Sequence, residues 1–327
     1  MLIISPGGNR MLVKLLEPLN VPNEQIEEYG KQIEDLGHEF MYYDEKTTDS
    51  KELAKRSEDA DIIMIANNPY PAEAINQSKN LKLINVAFTG VDHVEIDKAE
   101  DQDILISNAA GYADQAVAEL TIGLVLDLYR AISYGNQTIR KSSEEAIQGR
   151  EIKGKTVGIV GTGKIGLTTA KLFKAFGAHL IGYDVNQNPE AKEIGLEYVE
   201  LDELMKKADI VSLNVPLLPA TERMISAEKL ALMKEDAILI NTARGPVVDN
   251  DALADVLNNE EIAGAGIDVF DMEPPIPSDY KLLNAKNTIL TPHVGFLSDE
   301  AMERRAKIAF DNTIAYLKGE PENIVER

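Results

Sequence analysis

Residues 157–166 read VGIVGTGKIG, a short apolar run that leads directly into a glycine-rich turn. Such a run is typical of a strand buried in a parallel sheet. The glycines have the spacing GxGxxG, in which Gly161 permits a tight turn, Gly163 leaves room beside the backbone, and Gly166 lets the following helix pack closely on the strand. This arrangement points the positive amino end of a helix at an anion, so the turn predicts a site for the pyrophosphate of a dinucleotide.

An acidic residue supports this prediction. We expect a second strand that ends at Tyr183, and Asp184 follows it, eighteen residues after Gly166. A carboxylate there is placed to bind the hydroxyls of an adenosine ribose and to repel a 2′-phosphate, which favours NAD over NADP. A P-loop motif, GxxxxGK[ST], is absent from the sequence. Tyr42 and Lys46 have the spacing of the catalytic pair of short-chain dehydrogenases, but they lie far upstream of the turn, and we interpret the match as coincidence.

The composition argues against several classes of protein. The 327 residues suffice for about two domains, and 55 acidic against 33 basic side chains give a formal net charge of −22. Nucleic-acid-binding proteins normally carry a basic face, so this excess argues against them and against an anionic membrane surface. The absence of cysteine excludes disulfides, thiol nucleophiles and cysteine-ligated metals, and it suits the cytoplasm. The most apolar stretch, residues 116–128, is interrupted by Glu119 and Asp127, so we expect no membrane span.

Short apolar runs alternate with amphipathic stretches along the chain, which is the pattern of βα repeats around parallel sheets. The predicted strands cover residues 2–5, 39–43, 61–66, 83–87, 104–107, 157–160, 180–183, 210–214, 237–241, 263–269 and 288–290. The main predicted helices cover residues 23–36, 114–134 and 299–318. We interpret the polar stretch at residues 137–155 as a crossover between two domains, with a solvated loop as the alternative. The sequence therefore predicts an α/β fold.

Three side chains with suitable chemistry, Arg244, Glu273 and His293, each come shortly after one of the last three predicted strands. Open α/β sheets bind their ligands at the carboxyl ends of their strands. Reduction of a 2-keto acid requires a guanidinium to bind the carboxylate and polarise the carbonyl, and an imidazole to donate a proton. A carboxylate beside the imidazole orients it and favours its protonated form. Each residue alone is more often a surface or structural group, and only the combination predicts a dehydrogenase site. The other histidines have no metal-ligand spacing and are interpreted as structural: His38, His93 and His179.

The sequence resembles the D-isomer-specific 2-hydroxyacid dehydrogenase family over nearly its whole length. The resemblance is carried by GKTVGI at 154–159 with the glycine turn, and by further stretches in matching order and spacing: GY at 111–112, AVAE at 116–119, PL at 216–217 with Thr221, NTARG at 241–245, DVF at 268–270 with EP at 273–274, and TPH at 291–293. It implies a Rossmann NAD-binding domain at residues 103–293, inserted into a discontinuous flavodoxin-like substrate domain at residues 1–102 and 294–327.

The resemblance also implies a role for each site residue. Arg244 would bind the carboxylate and carbonyl of the substrate, His293 would be the acid/base, and Glu273 would be the partner of His293. Asp268 would bind the nicotinamide carboxamide. The implied cofactor-binding residues are Gly161, Gly163, Lys164, Ile165, Gly166, Asp184, Asn214, Pro216, Thr242, Ala243 and Asp268. The implied substrate-binding residues are Phe88, Thr89, Gly90 and Val91, whose backbone N–H groups would hold the carboxylate, together with Phe296.

The expected reaction interconverts a small 2-keto acid, such as glyoxylate, hydroxypyruvate or pyruvate, and its (R)-2-hydroxy acid. Two departures from the family are Asn214, where many members have histidine, and Phe296, which is larger than its counterpart in some members. The alternatives are a phosphoglycerate, formate or phosphite dehydrogenase of the same fold, or a non-enzymatic NAD-sensing scaffold like a corepressor. Formate dehydrogenases of this type pair histidine with glutamine, so Glu273 argues against that activity. The helix at residues 116–134 resembles the dimer-forming helix of the family, which implies a two-fold homodimer.

Overall fold

The structure is a computed structural model of the chain, and it describes residues 10–325. Backbone contacts divide the chain into two units. The first unit combines Met1–Ala113 with Ser298–Arg327, and the second is Asp114–Leu297, so the second is inserted into the first along the chain. Within the described range, no helix has both the length and the apolar character that a membrane crossing requires.

Strands and helices alternate in both units. The strands are β1 (Leu12–Leu15), β2 (Glu39–Tyr42), β3 (Ile62–Ile65), β4 (Leu83–Val86), β5 (Leu105–Asn108), β6 (Thr156–Val160), β7 (His179–Tyr183), β8 (Glu197–Tyr198), β9 (Ile210–Leu213), β10 (Ile238–Asn241), β11 (Gly264–Ile267) and β12 (Thr288–Leu290). The α-helices are α1 (Asn23–Asp35), α2 (Ser50–Ser57), α3 (Ala72–Gln77), α4 (Ile96–Glu100), α5 (Asp114–Arg130), α6 (Ile132–Arg140), α7 (Lys164–Ala175), α8 (Pro189–Glu193), α9 (Leu201–Lys207), α10 (Ala227–Leu230), α11 (Asn250–Asn258) and α12 (Asp299–Leu317).

The first unit is built on a parallel sheet in the order β2-β1-β3-β4-β5, which is the flavodoxin-like order. The last helix, α12, packs against this sheet. Phe310 of α12 stacks on Tyr29 of α1, with 4.9 Å between the ring centroids. The buried Asn85 side chain of β4 donates to the Ala309 carbonyl at 2.6 Å and to the Thr313 hydroxyl at 2.8 Å. These contacts explain why the end of the chain belongs to the first unit.

The second unit is built on a parallel sheet in the order β12-β11-β10-β9-β6-β7-β8. This is the Rossmann order, extended by one strand at the β12 edge. α5 and α7 share one buried cluster with β6, in which Leu124 and Val125 meet Ala170, Phe173 and Ile159. The strand order reverses between β6 and β9, and an open α/β sheet binds its ligand at such a reversal.

The structure corrects the helix predicted at residues 114–134. α5 ends at Arg130, Ala131 has a φ of +50°, and α6 begins at Ile132. A residue in the left-handed conformation breaks the series of i to i−4 hydrogen bonds. The apolar periodicity continues across the break, which is why the pattern predicted one helix.

The first strand that the structure describes and the positions at which the units divide were not predicted from the sequence. The strand predicted at residues 2–5 lies outside the described residues, and β1 was not predicted. The predicted boundaries, 102/103 and 293/294, lie earlier in the chain than the divisions after Ala113 and Leu297. β5 accounts for the first difference, because it pairs with β4 in the first sheet, with Leu105 opposite Leu83.

Candidate active site

The glycine turn lies where β6 ends and α7 begins. Gly161 has a φ of +88°, and a Cβ atom on it would lie 2.6 Å from the Asn214 carbonyl oxygen. A Cβ on Gly166 would lie 2.0 Å from the Gly161 carbonyl oxygen, so only glycine lets α7 pack so close to the turn. Gly163, by contrast, has open space where a Cβ would stand, and it immediately precedes Lys164 at the start of α7. The open backbone at the amino end of a helix provides what a pyrophosphate requires.

Asp184 follows β7 and lies beside this turn. Its Oδ2 accepts a hydrogen bond from the Thr162 N–H at 2.6 Å, and its Oδ1 accepts one from the Asn186 N–H at 3.0 Å. The structure therefore brings the carboxylate and the glycine turn together, as the sequence spacing predicted. The next residue, Val185, is 84% exposed.

The other predicted cofactor-binding residues follow neighbouring strands. Asn214, after β9, donates its N–H to the Val160 carbonyl at 2.7 Å and its Nδ2 to the Ser212 carbonyl at 3.1 Å. Among the described residues its buried Oδ1 has no hydrogen-bond partner, which leaves an acceptor beside the turn. Thr242, after β10, shares a hydrogen bond with the Thr121 hydroxyl at 3.0 Å. The cradle of glycines and this unused acceptor fit a dinucleotide. The remaining members of the predicted set lie at the same sheet edge or at the start of α7: Pro216, Ala243, Lys164 and Ile165.

His293 and Glu273 form a pair after β12 and β11. Nδ1 of His293 lies 2.9 Å from both carboxylate oxygens of Glu273. The histidine side chain is 17% exposed and the glutamate side chain 74% exposed, so a largely buried imidazole meets a solvated carboxylate. Phe296 packs edge-on against the imidazole, with 5.6 Å between the ring centroids. These contacts orient the ring with Nδ1 towards the carboxylate.

Asp268, directly after β11, is buried and organises the loop that carries His293. Its Oδ1 accepts hydrogen bonds from the Thr291 hydroxyl at 2.6 Å and the Val294 N–H at 2.9 Å. Its Oδ2 accepts one from the Gly295 N–H at 2.8 Å, and its carbonyl accepts one from the His293 N–H at 2.8 Å.

These hydrogen bonds form a clamp on residues 291–295. Burial raises the pKa of Asp268, and the hydrogen bonds to its carboxylate act in the opposite direction. His293 has a φ of +56°, an uncommon conformation for a residue with a side chain, and this clamp holds it there. The clamp could not be predicted from the sequence, because a sequence does not show the hydrogen-bond partners of a strand-end residue.

Arg244 follows β10. Its Nη1 donates to the Ala243 carbonyl at 2.8 Å, and its own carbonyl accepts a hydrogen bond from the Asn241 side chain at 3.0 Å. A Cβ on Gly245 would lie 1.9 Å from the Phe270 carbonyl oxygen, so the chain after Arg244 packs directly on the segment that follows β11. β10, β11 and β12 are neighbours in the sheet. The three residues predicted to do the chemistry therefore follow adjacent strands at one sheet edge.

The loop predicted to hold the substrate carboxylate belongs to the first unit, where it follows β4. The Phe88 carbonyl accepts a hydrogen bond from the Ala109 N–H at 2.9 Å, and the Thr89 carbonyl accepts one from the Asn108 side chain at 2.9 Å. Gly90 and Val91 are half-buried. The loop is thus anchored by its carbonyl groups to the end of β5, within its own unit.

Comparison with known proteins identifies the family. Residues 122–295 match the model of the NAD-binding domain of D-isomer specific 2-hydroxyacid dehydrogenases. The chain belongs to this family. The fold class predicted from the sequence is confirmed: a Rossmann NAD-binding domain is inserted into a discontinuous flavodoxin-like substrate domain, and NAD is the cofactor.

Several similar members of the family have names that specify a small keto or hydroxy acid as substrate. A hydroxypyruvate reductase of Blautia hydrogenotrophica is 34% identical over 305 residues, which cover 91% of this chain and 94% of that protein. A glyoxylate reductase of Thermococcus litoralis is 37% identical over 325 residues, 95% of this chain and 98% of that protein. The structure of a D-lactate dehydrogenase from Aquifex aeolicus, solved with NAD and lactic acid, has a TM-score of 0.82 at 31% identity and covers 95% of this chain and 98% of its own. The dehydrogenase described here is therefore an NAD-dependent enzyme of 2-hydroxyacids.

Proposed function

We propose that this dehydrogenase interconverts a small 2-keto acid and its (R)-2-hydroxy acid, with His293 as the acid/base. The observation that carries the proposal is the His293–Glu273 pair, which lies in the second unit at the sheet edge where the glycine turn also lies. The relatives named for glyoxylate and hydroxypyruvate, and the similar enzyme solved with lactic acid, support glyoxylate, hydroxypyruvate or pyruvate as the keto acid.

The proton is held and moved by the histidine. With Nδ1–H donated to Glu273, the proton to be transferred lies on Nε2, and the carboxylate stabilises the positive charge of the imidazolium. In reduction, Nε2 donates this proton to the oxygen that becomes the hydroxyl, and in oxidation it takes the proton back. NADH, when bound, supplies the hydride. The clamp by Asp268 keeps the imidazole in place throughout, because it fixes the backbone on both sides of His293.

The substrate is held by its charge and its size. Arg244 binds the carboxylate and polarises the carbonyl, since a planar guanidinium makes two parallel hydrogen bonds to a carboxylate. Phe296 packs against the imidazole with a bulky ring, which favours a small substituent on the keto acid.

The cofactor is held along the carboxyl edge of the second sheet. The glycine turn and the start of α7 receive the pyrophosphate, and Asp184 receives the adenosine ribose. A carboxylate oxygen accepts about two hydrogen bonds. Oδ2 of Asp268 accepts only one from the protein among residues 10–325, so one position remains for the nicotinamide carboxamide. Asn214 offers its unused Oδ1 where many family members have histidine.

A turnover assay with a panel of acids tests the proposed substrate class. We expect NADH oxidation with glyoxylate, hydroxypyruvate or pyruvate, and no NAD reduction with formate or phosphite, because Glu273 stands where a glutamine is expected for formate. Phosphoglycerate, assayed in the oxidative direction, serves as the larger substrate that Phe296 disfavours. Absence of turnover with every keto acid, together with tight NADH binding, would instead support a non-enzymatic NAD-sensing scaffold.

Replacement of the pair tests the proton transfer. His293→Ala should lower kcat by about 10² to 10⁴, the usual contribution of a general acid, while the Kd for NADH changes little. Glu273→Gln should lower kcat less, because the amide still accepts a hydrogen bond but carries no charge. His179→Ala is the matched control, since this exposed histidine starts β7 and takes no part in the site. Unchanged kcat in His293→Ala would refute the assignment.

The position of Asp184 predicts a preference for NAD. A 2′-phosphate about 4 Å from the carboxylate, at an effective dielectric constant near 20, is repelled by roughly 4 kcal/mol, so we expect kcat/KM to favour NADH over NADPH by about a hundredfold or more. Asp184→Ser combined with Val185→Arg should narrow or invert this preference, because it removes the repulsion and supplies a phosphate partner.

The control for the double variant is the single substitution Val185→Arg. It keeps the hydrogen bond from the Thr162 N–H to the Asp184 carboxylate and so leaves the glycine turn intact. It should change the preference less than the double variant. Equal kcat/KM values for NADH and NADPH in the unmodified enzyme would show that Asp184 does not face the ribose.

We propose that the protein is a two-fold homodimer in the cytoplasm. The absence of cysteine suits a reducing compartment such as the cytoplasm.

The dimer is supported by an exposed apolar surface. α6 and the loop after it expose large apolar side chains, namely Ile132, Ile139 and Ile147, and such a surface is typical of an interface. Sedimentation at micromolar protein should give the mass of a dimer, and Ile139→Glu should shift it towards the monomer. Val185→Glu, at an exposed apolar residue elsewhere, should not. A monomeric mass for the unmodified protein would contradict the dimer.

A further inference from the structure

The hydroxyl of Tyr198 joins two segments of the nucleotide-binding unit that are distant in sequence. It lies 2.6 Å from the Thr162 hydroxyl, within the glycine turn, and it accepts a hydrogen bond from the Asn188 N–H at 2.8 Å. The Asn188 side chain also donates to the Thr162 carbonyl at 2.8 Å. Tyr198 stands on β8, the edge strand of the sheet, where it is half-buried.

The directions of these hydrogen bonds follow from the donors available. The Asn188 N–H can only donate, so the Tyr198 oxygen accepts there and gives its single hydrogen to the Thr162 hydroxyl. The Thr162 hydroxyl then gives its own hydrogen to Oδ2 of Asp184, 3.1 Å away. Each hydroxyl is thus both acceptor and donor in one chain that ends on a carboxylate, an arrangement in which neighbouring hydrogen bonds strengthen one another.

The chain restricts the Asp184 carboxylate. Oδ2 accepts two hydrogen bonds from Thr162, and Oδ1 accepts one from Asn186. Of about four acceptor positions on a carboxylate, one remains, on Oδ1. A carboxylate held in this way presents one fixed acceptor to a ribose hydroxyl and is hindered from rotating away from a 2′-phosphate.

We propose that Tyr198 is a positioning residue for the adenosine end of the cofactor. It holds Asp184 and residues 186–188 against the glycine turn before the cofactor arrives, and so contributes to the affinity for NADH and to the discrimination against NADPH. Preorganised groups bind more tightly because less freedom is lost on binding. This inference rests on the proposed role of Asp184 as the ribose ligand.

Tyr198→Phe isolates the hydroxyl from the ring. The ring packs beside the buried cluster that contains Leu180 and Leu196, and Lys192 Nζ lies 5.7 Å from its centroid. Phenylalanine keeps that packing and removes only the hydrogen bonds. If the ring alone mattered, the variant would bind both cofactors like the unmodified enzyme.

The first experiment measures the Kd of NADH and of NADPH by fluorescence titration, without keto acid. Tyr198→Phe should raise the Kd for NADH by about five- to thirtyfold, as expected for the loss of one or two hydrogen bonds in a polar network, and raise that for NADPH less, so that the NADPH/NADH ratio falls. With saturating NADH, kcat and the KM of the keto acid should stay within about twofold. Tyr183→Phe is the matched control on the neighbouring strand, because its hydroxyl makes no hydrogen bond within residues 10–325, and it should change neither Kd.

The second experiment tests whether Tyr198 acts through Thr162. Thr162→Val removes the hydroxyl between Tyr198 and Asp184 but keeps the N–H that binds the carboxylate. If the chain is the cause, Tyr198→Phe should have a much smaller effect on the NADPH/NADH ratio in the Thr162→Val background, which is a double-mutant cycle with non-zero coupling. Additive effects on the ratio would overturn the inference even if Tyr198→Phe lowered Tm.

Failure of the inference and failure of the proposed site give different results. If Asp184→Asn removes the preference for NADH but Tyr198→Phe leaves both Kd values unchanged, Tyr198 is not a positioning residue and the ribose site stands. If Asp184→Asn leaves the Kd values of both cofactors unchanged, the ribose site itself is wrong, and the inference falls with it.

Discussion

The contact between Gly166 and the Gly161 carbonyl oxygen sets the geometry of the nucleotide-binding unit. A Cβ at position 166 would lie 2.0 Å from that oxygen, so α7 meets β6 at a distance that no other residue allows. On its other side Gly161 lies against the Asn214 carbonyl, which follows β9. Two neighbouring strands and one helix therefore converge on a few backbone atoms, and the amino end of α7 opens at the reversal of strand order, where the sheet has room for a ligand.

The reactive end of the same edge is organised by a buried charge. Asp268 collects two N–H groups and one hydroxyl from the loop at residues 291–295, groups that a tight turn would otherwise leave without partners. A left-handed conformation at His293 costs free energy, and the clamp offsets that cost. The imidazole is consequently oriented from two directions, by Asp268 through the backbone and by Glu273 through Nδ1.

The sequence predicted most strands from their short apolar runs, and it predicted site residues from motifs with fixed spacing. Apolar runs and motif spacings are both local signals, so they can be recognised in a single sequence. The glycine turn and the pair of His293 with Glu273 lie at the predicted strand ends. The break at Ala131 was not predicted, because one residue changes conformation there without interrupting the apolar period. β8, which has two residues, was not predicted either, nor were the hydrogen bonds of the Asp268 and Tyr198 side chains, whose partners lie 10 to 36 residues away in sequence. Long-range hydrogen bonds depend on the register of the strands in the sheet, and that register cannot be predicted from a single sequence.

In both units an aspartate at the amino edge of the sheet binds the first backbone N–H of a strand, so some of the many acidic residues have a structural role. Asp61, just before β3, accepts a hydrogen bond from the first N–H of β1 at 2.9 Å, and Asp209, just before β9, accepts one from the first N–H of β6 at 2.7 Å. In each unit a lysine pairs with that aspartate: Lys82, directly before β4, pairs with Asp61, and Lys234, four residues before β10, pairs with Asp209. Burial alone would raise the pKa of Asp209, but its bonds to Lys234 and Thr156 outweigh burial and lower it.

The first N–H groups of β1 and β6, both inner strands of their sheets, bind these aspartates and not a neighbouring strand. Each aspartate therefore stabilises the start of an inner strand at the edge opposite the carboxyl ends. The carboxyl ends are left to side chains and turns whose geometry serves ligands, among them Asp184 and Asp268, which bind the backbone in the same manner. The same chemical device, a carboxylate that gathers backbone N–H groups beside a strand end, thus supports the fold at one edge and shapes the site at the other.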